Sequence, residues 1–94
     1  MSVKITPDIK QLYNAIICLK NPQEVQNFFD DLLTVPELLS LSQRLEVARL
    51  LNQGLSYDEI VNKTGASTAT ISRVKRCLIY GADGYTNVLK KLSR

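Results

Sequence analysis

Histidine is absent from this chain, and with it goes the commonest general base and zinc ligand. The two cysteines, Cys18 and Cys77, stand far apart without metal-ligand spacing, and the expectation is a pair of reduced, buried thiols. There is no Gly-rich phosphate loop and no clustered carboxylate pair, so no base–nucleophile set emerges and an enzyme is not expected. No apolar run is long enough to span a bilayer, and MSVKITPDIK lacks the apolar core of a signal peptide. A soluble protein of the reducing cytoplasm, with no membrane partner, is the expectation. Repeats, low-complexity tracts and strand-like alternation are missing too. What remains is a helical chain.

Its 94 residues suit one domain, and a hydrophobic content of 45% suits a folded one. The formal charge of +3 is modest but unevenly placed. Residues 1–54 hold five basic and six acidic side chains, whereas residues 55–94 hold seven basic and three acidic ones. The basic half is where nucleic-acid contact would fall.

Residues 1–7 lack periodicity and read as a loose arm. From Asp8, the series Ile9, Leu12, Tyr13, Ile16, Ile17 predicts a helix to about Leu19. Asn21-Pro22 starts a second one, with Asn as cap and Pro in the first turn, and Val25, Phe28, Phe29, Leu32 and Leu33 form its apolar stripe. Pro36 opens a third, running to about Asn52. Leu38, Leu41, Leu45 and Ala48 line one side of it, while Leu39, Val47, Leu50 and Leu51 lie at other angles. A helix apolar on several sides belongs in an interior, and in so short a chain a second copy can supply it. The plainer arrangement is a monomeric bundle with residues 9–33 covering both sides. Residues 8–54 are read as dimerisation helices.

Residues 55–78 read as a helix-turn-helix. Tyr57 to Lys63 makes two turns, with Asp58 and Glu59 at the end where the dipole favours negative charge and Ile60 and Val61 inward. Thr64-Gly65-Ala66 stops it, and Ser67 caps the next helix. Ile71, Val74 and Leu78 give that helix its apolar stripe. At 100° per residue, Ala69, Ser72, Arg73 and Arg76 point away from the stripe, with Thr68 and Thr70 on the flanks. Small, hydroxylic and basic side chains suit base edges and phosphates. An ordinary solvated face has a similar composition, so the pattern alone is not decisive. Lys63 and Lys75 are further phosphate candidates, Lys75 reaching round from nearer the apolar side. In the C-terminal stretch 79–94, Gly81 and Gly84 break the chain, Tyr85, Val88, Leu89 and Leu92 predict a last short helix, and Lys90, Lys91 and Arg94 suit its C-terminal dipole without any ligand. The fold class expected is all-α, with six helices.

These landmarks carry a resemblance. LLT at Leu32–Thr34 before a proline-started helix, Arg44 at its centre, LL-x-x-G at Leu50–Gly54 and GA-x-x-AT-I-[ST]-R at Gly65–Arg73 resemble the Trp repressor superfamily, and within it the shorter YerC/YecD type. The similarity spans Thr34 to Leu78, about half the chain. It implies an intertwined all-α homodimer and a sequence-specific regulator of transcription, a repressor, on double-stranded DNA. It also implies an effector pocket: Arg44 and Arg73 match two arginines that clamp tryptophan in the Trp-sensing members, and Thr34 and Thr70 match two contacting threonines. Two positions depart from that pattern. A glycine beneath the indole is Val74 here, and a serine that helps hold the amino group is Cys77. A branched side chain in the space of the ring costs on the order of 1–3 kcal/mol, and a thiol is a weak acceptor. L-tryptophan is therefore not expected as corepressor, no cofactor is expected, and any other small-molecule effector is left open. The competing reading is a helical dimerisation or adaptor module that binds a protein.

Overall fold

The computed structural model describes residues 3–93. They form six α-helices: α1 (Pro7–Ile17), α2 (Pro22–Leu32), α3 (Val35–Asn52), α4 (Tyr57–Thr64), α5 (Thr68–Tyr80) and α6 (Gly84–Leu92). No strand occurs among the described residues, and none of the helices is long and apolar enough to cross a membrane. Two residues of the expected arm and Arg94 of the basic end lie outside the described residues.

Side-chain caps set most of the helix starts. The hydroxyl of Thr6 accepts from the Ile9 amide (3.2 Å), and the Asn21 carbonyl oxygen accepts from Glu24 (2.9 Å). Thr34 accepts from Glu37 (3.3 Å), Ser56 from Glu59 (3.2 Å) and Ser67 from Thr70 (3.1 Å). Pro7 and Pro22 sit in the first turns of α1 and α2, where an amide proton would have had no acceptor. Before α6 the device differs: Asp83 takes the left-handed conformation (φ 63°) without a side-chain cap bond.

Two caps are reciprocal. Glu37 reaches back to the Thr34 amide (2.9 Å), and Glu59 to the Ser56 amide (3.2 Å) and hydroxyl (3.0 Å). Accepting a bond from the backbone amide of Ser56, then from its hydroxyl, holds the Glu59 carboxyl below its ordinary value of 4.5, with Lys63 a lesser contributor. A depressed carboxyl contributes stability that is full above the unfolded-state value and is lost as pH falls through the lower folded-state value. Urea unfolding across the acid range is therefore expected to give a shallower acid limb for Glu59→Gln than for the unaltered chain. Ser56→Ala, which removes the cap itself, is expected to cost about 1 kcal/mol at neutral pH.

The chain divides into two units, the first ending at Leu38 and the second beginning at Leu39 within α3. In the first, the apolar stripes fall where the periodicity places them, yet none of the described residues of α1 or α2 is buried. Phe28 and Phe29 are half-buried with ring centroids 6.2 Å apart, whereas Tyr13 and Ile16 are exposed and Ile17 is 79% exposed. In the second, Val47, Ala48 and Leu50 of α3, Ile60 of α4, Ala66 of the link that follows it, Ile71 and Val74 of α5, and Leu89 of α6 form one buried cluster. Leu51, Leu55, Tyr57, Val61, Leu78 and Tyr85 pack around it. Leu39, Leu41 and Leu45, which precede the buried part of α3, remain exposed.

Three expectations need correction. The arm is shorter than residues 1–7, because Thr6 caps α1 and Pro7 is already helical. That helix ends at Ile17 rather than Leu19, since Asn21, extended ahead of Pro22, cannot continue it. The thiols are free but not buried. Cys18 sits in the C-cap position of α1, and Cys77 lies on the flank of α5 about 120° round from Ile71, outside the apolar stripe.

Candidate nucleic-acid interface

Helices α4 and α5 are joined by three residues, and each has a reason to be where it is. Gly65 takes φ 72°, a conformation that costs a side-chain-bearing residue energy, and its amide closes α4 on the Val61 carbonyl (2.8 Å). The Ala66 methyl is buried in the core, and Ser67 caps α5. Thr64 stitches the corner: its hydroxyl donates to the Ile60 carbonyl (2.7 Å) and accepts from the Ala66 amide (3.0 Å). Its own carbonyl accepts from the Gln43 side chain (3.3 Å), which ties the corner to α3.

This corner fixes the rotation of α5. Ile71 and Val74 are fully buried on one side, so the opposite side must face out. Thr68, Ala69, Ser72, Arg73 and Arg76 are all exposed, and Thr70 is half-buried, its oxygen accepting from the Ser67 hydroxyl (3.1 Å). Among the described residues, neither Arg73 nor Arg76 has a side-chain hydrogen bond or ion pair, and the amides of Thr68 and Ala69 have no acceptor. Helix α5 carries no carboxylate. The face thus offers two guanidinium groups, two hydroxyls and a free helix N-terminus, the donors that phosphates and base edges accept from.

The two candidate lysines fall elsewhere. Lys63 is exposed in the last turn of α4. Lys75 leans over the Tyr57 ring, its ammonium 5.5 Å from the centroid, and so lies away from Arg73.

A protein-family model described as Trp repressor protein matches residues 7–93. The chain belongs to the Trp repressor family. Among relatives, the uncharacterized protein YerC of Bacillus subtilis (strain 168) is 55% identical over 85 residues, which is 90% of this chain and 82% of that one. A crystal structure of a TrpR-like protein from Eubacterium eligens superposes with a TM-score of 0.90 at 52% identity, covering 94% of this chain and 91% of the other. Another, from Staphylococcus aureus and provisionally described as a Trp repressor, gives 0.91 at 49% identity, with coverage of 95% and 89%. The six-helix, all-α, Trp-repressor-like fold is shared with both.

Within this Trp repressor family fold, the four residues of the expected effector pocket have distinct surroundings. Thr34 belongs to the first unit, where its amide and hydroxyl serve the cap of α3. Arg44 is half-buried in the second unit, its Nε donating a long bond (3.4 Å) to the Ser40 carbonyl. Thr70 is engaged by Ser67, and Arg73 is exposed. Of the two positions that depart from the expected pattern, Val74 is 1% exposed and used as core, whereas Cys77 is exposed.

Some of the site escaped the sequence reading. The outward row of α5 continues one turn past Arg76 to Tyr80, which is 81% exposed. Extending the same 100° projection beyond Cys77 finds it. The Ser56–Glu59 and Thr34–Glu37 boxes were missed too, although S/T-x-x-E is their signal. The Gln43–Thr64 tie had no signal, since it joins residues distant in sequence.

Proposed function

We propose that this protein is a sequence-specific DNA-binding regulator of transcription, a repressor, that reads a pseudo-palindromic duplex as a homodimer. The observation that carries the reading is the two-sidedness of α5, with Ile71 and Val74 buried and Ser72, Arg73 and Arg76 exposed and unpartnered among the described residues. In such a helix-turn-helix, Ser67 to Thr70 approach base edges end-on while Arg73 and Arg76 hold phosphate or guanine. Lys63 contributes at the margin, and Lys75, turned toward Tyr57, ranks below it. Family membership supports the same reading.

A homodimer follows from what the first unit leaves open. Two amphipathic helices without a buried residue, and a leading half of α3 with Leu39 at 63% exposure, require an apolar partner, and a second copy brings the same surface. Intertwined N-terminal helices are the arrangement that covers both copies at once. Tryptophan is not the corepressor in this proposal, because Val74 stands where the resemblance puts a glycine and its side chain is committed to the core. The arginine pair, Arg44 and Arg73, keeps charge suited either to a different small anion or to DNA.

Selection of bound duplexes from a random pool tests the proposal. The expected outcome is enrichment of a pseudo-palindrome with half-sites about 34 Å apart, bound less tightly as salt rises. Sedimentation at micromolar concentration is expected to give twice the chain mass. A pool that yields no enriched sequence and no salt dependence rejects the DNA reading, and a monomer rejects the half-site geometry.

A further inference from the structure

Beside Lys75 the second unit is hollowed by a groove of ≈ 480 Å³. Leu51 and Leu55 bring apolar wall from the end of α3 and the linker after it, Tyr57 from the start of α4, and Leu78 and Ile79 from α5. Ile79 stays 58% exposed, a large apolar side chain open to water at the rim. Among the described residues, the only charge in the wall is the Lys75 ammonium over the Tyr57 ring. Among the described residues it has no ion pair, and the wall has no carboxylate.

We propose that this groove is a binding site for a small carboxylic acid with an apolar body, the carboxylate pairing with Lys75 and the body lying on Tyr57, Leu55, Leu78 and Ile79. The volume falls in the range of small-molecule sites, about 300–1,000 Å³. Charge decides the class. A hydrocarbon would cover the ammonium without pairing it, and an amino acid would bring an ammonium of its own where no carboxylate waits, at an uncompensated desolvation cost. An unsubstituted carboxylate meets one cation with one anion, and Asn52 and Thr86 remain as neutral hydrogen-bonding groups beside it. The cation–π contact survives, because an ammonium holds three donors and can serve a ring and a carboxylate together. Lys75 lies about 160° round α5 from Arg73, so this site is separate from the arginine face. It does not rest on the DNA reading.

The test is a titration of the isotope-labelled full chain, without DNA, with 3-phenylpropionate, followed by methyl and amide NMR. Saturable shifts are expected at Leu55, Leu78 and Ile79, with L-phenylalanine and 3-phenylpropionamide each weaker by about 10-fold or more. Lys75→Gln and, separately, Ile79→Asp are each expected to weaken 3-phenylpropionate by about 10-fold or more while the remaining spectrum stays folded. Four results overturn the proposal. They are no saturable shift at millimolar probe, equal binding of the amide, the same shifts produced by inorganic phosphate, and shifts that follow protein concentration rather than probe, which would make the groove a contact between copies.

Discussion

Replacing Arg73 and Arg76 together by alanine is expected to lower affinity for the selected duplex by about 10³-fold while leaving the unfolding midpoint unchanged. Both side chains are exposed and neither has an intrachain partner among the described residues, so truncation opens no cavity and strands no buried group. In the proposed homodimer, binding loses four guanidinium contacts across two subunits. At about 1 kcal/mol each, a low figure for a charged hydrogen bond, that is about 4 kcal/mol, or roughly three decades in Kd. The salt dependence then separates the two roles. Each lost phosphate contact flattens the slope of log K against log salt by about 0.9, whereas a lost base contact leaves the slope and changes which duplexes are preferred. A double variant that binds as well as the unaltered chain would exclude this face from DNA. The adaptor-module reading would then stand, since a protein partner outside the arginine face is indifferent to both substitutions.

Ile71→Ala is expected to destabilise the second unit by about 2–5 kcal/mol. Ile71 is fully buried and belongs to a cluster drawn from α3, α4, α5 and α6. Its neighbours cannot collapse into the space, because Gly65, Ala66 and the Thr64 bonds hold the α4–α5 corner rigid. A domain of this size is stabilised by about 5–10 kcal/mol in total, so the loss is a large share of it. Urea unfolding followed by far-ultraviolet circular dichroism measures the effect as a lower midpoint. A change below about 0.5 kcal/mol, the usual size of a surface substitution, would mean that α5 is not seated as described. DNA binding should weaken in step with the folded fraction. Arg73→Ala and Arg76→Ala separate the two quantities, since they are expected to move affinity without stability.

Much of this fold is legible in the residues because local rules agree with one another. Spacing, proline starts and the Gly65 stop place all six helices within a few residues, and the stripe Ile71, Val74, Leu78 sets the outward face of α5. Where legibility fails, the cause is long-range. Cysteine prefers interiors on average, but Cys77 is placed by the helical angle of its neighbours, which outweighs that preference. The contact of Lys75 with Tyr57 joins α5 to the start of α4, and no local pattern announces it. The groove beside it draws on α3, the linker, α4, α5 and α6, so no single stretch announces it. The apolar stripes of α1 and α2 are plain in sequence, and their periodicity is silent about what they are pressed against.

That last feature has a bearing on how the protein is made. Helices α1 and α2 leave the ribosome first, and within their own unit they bury no residue. The cluster from Val47 to Leu89 is complete only once α6 has emerged. At roughly 5–20 residues per second, the apolar faces of Ile16 and Ile17 are in water for several seconds before the first core can close. The unit synthesised last is the one that holds a buried core, and in the proposed homodimer the unit synthesised first must wait for a second chain.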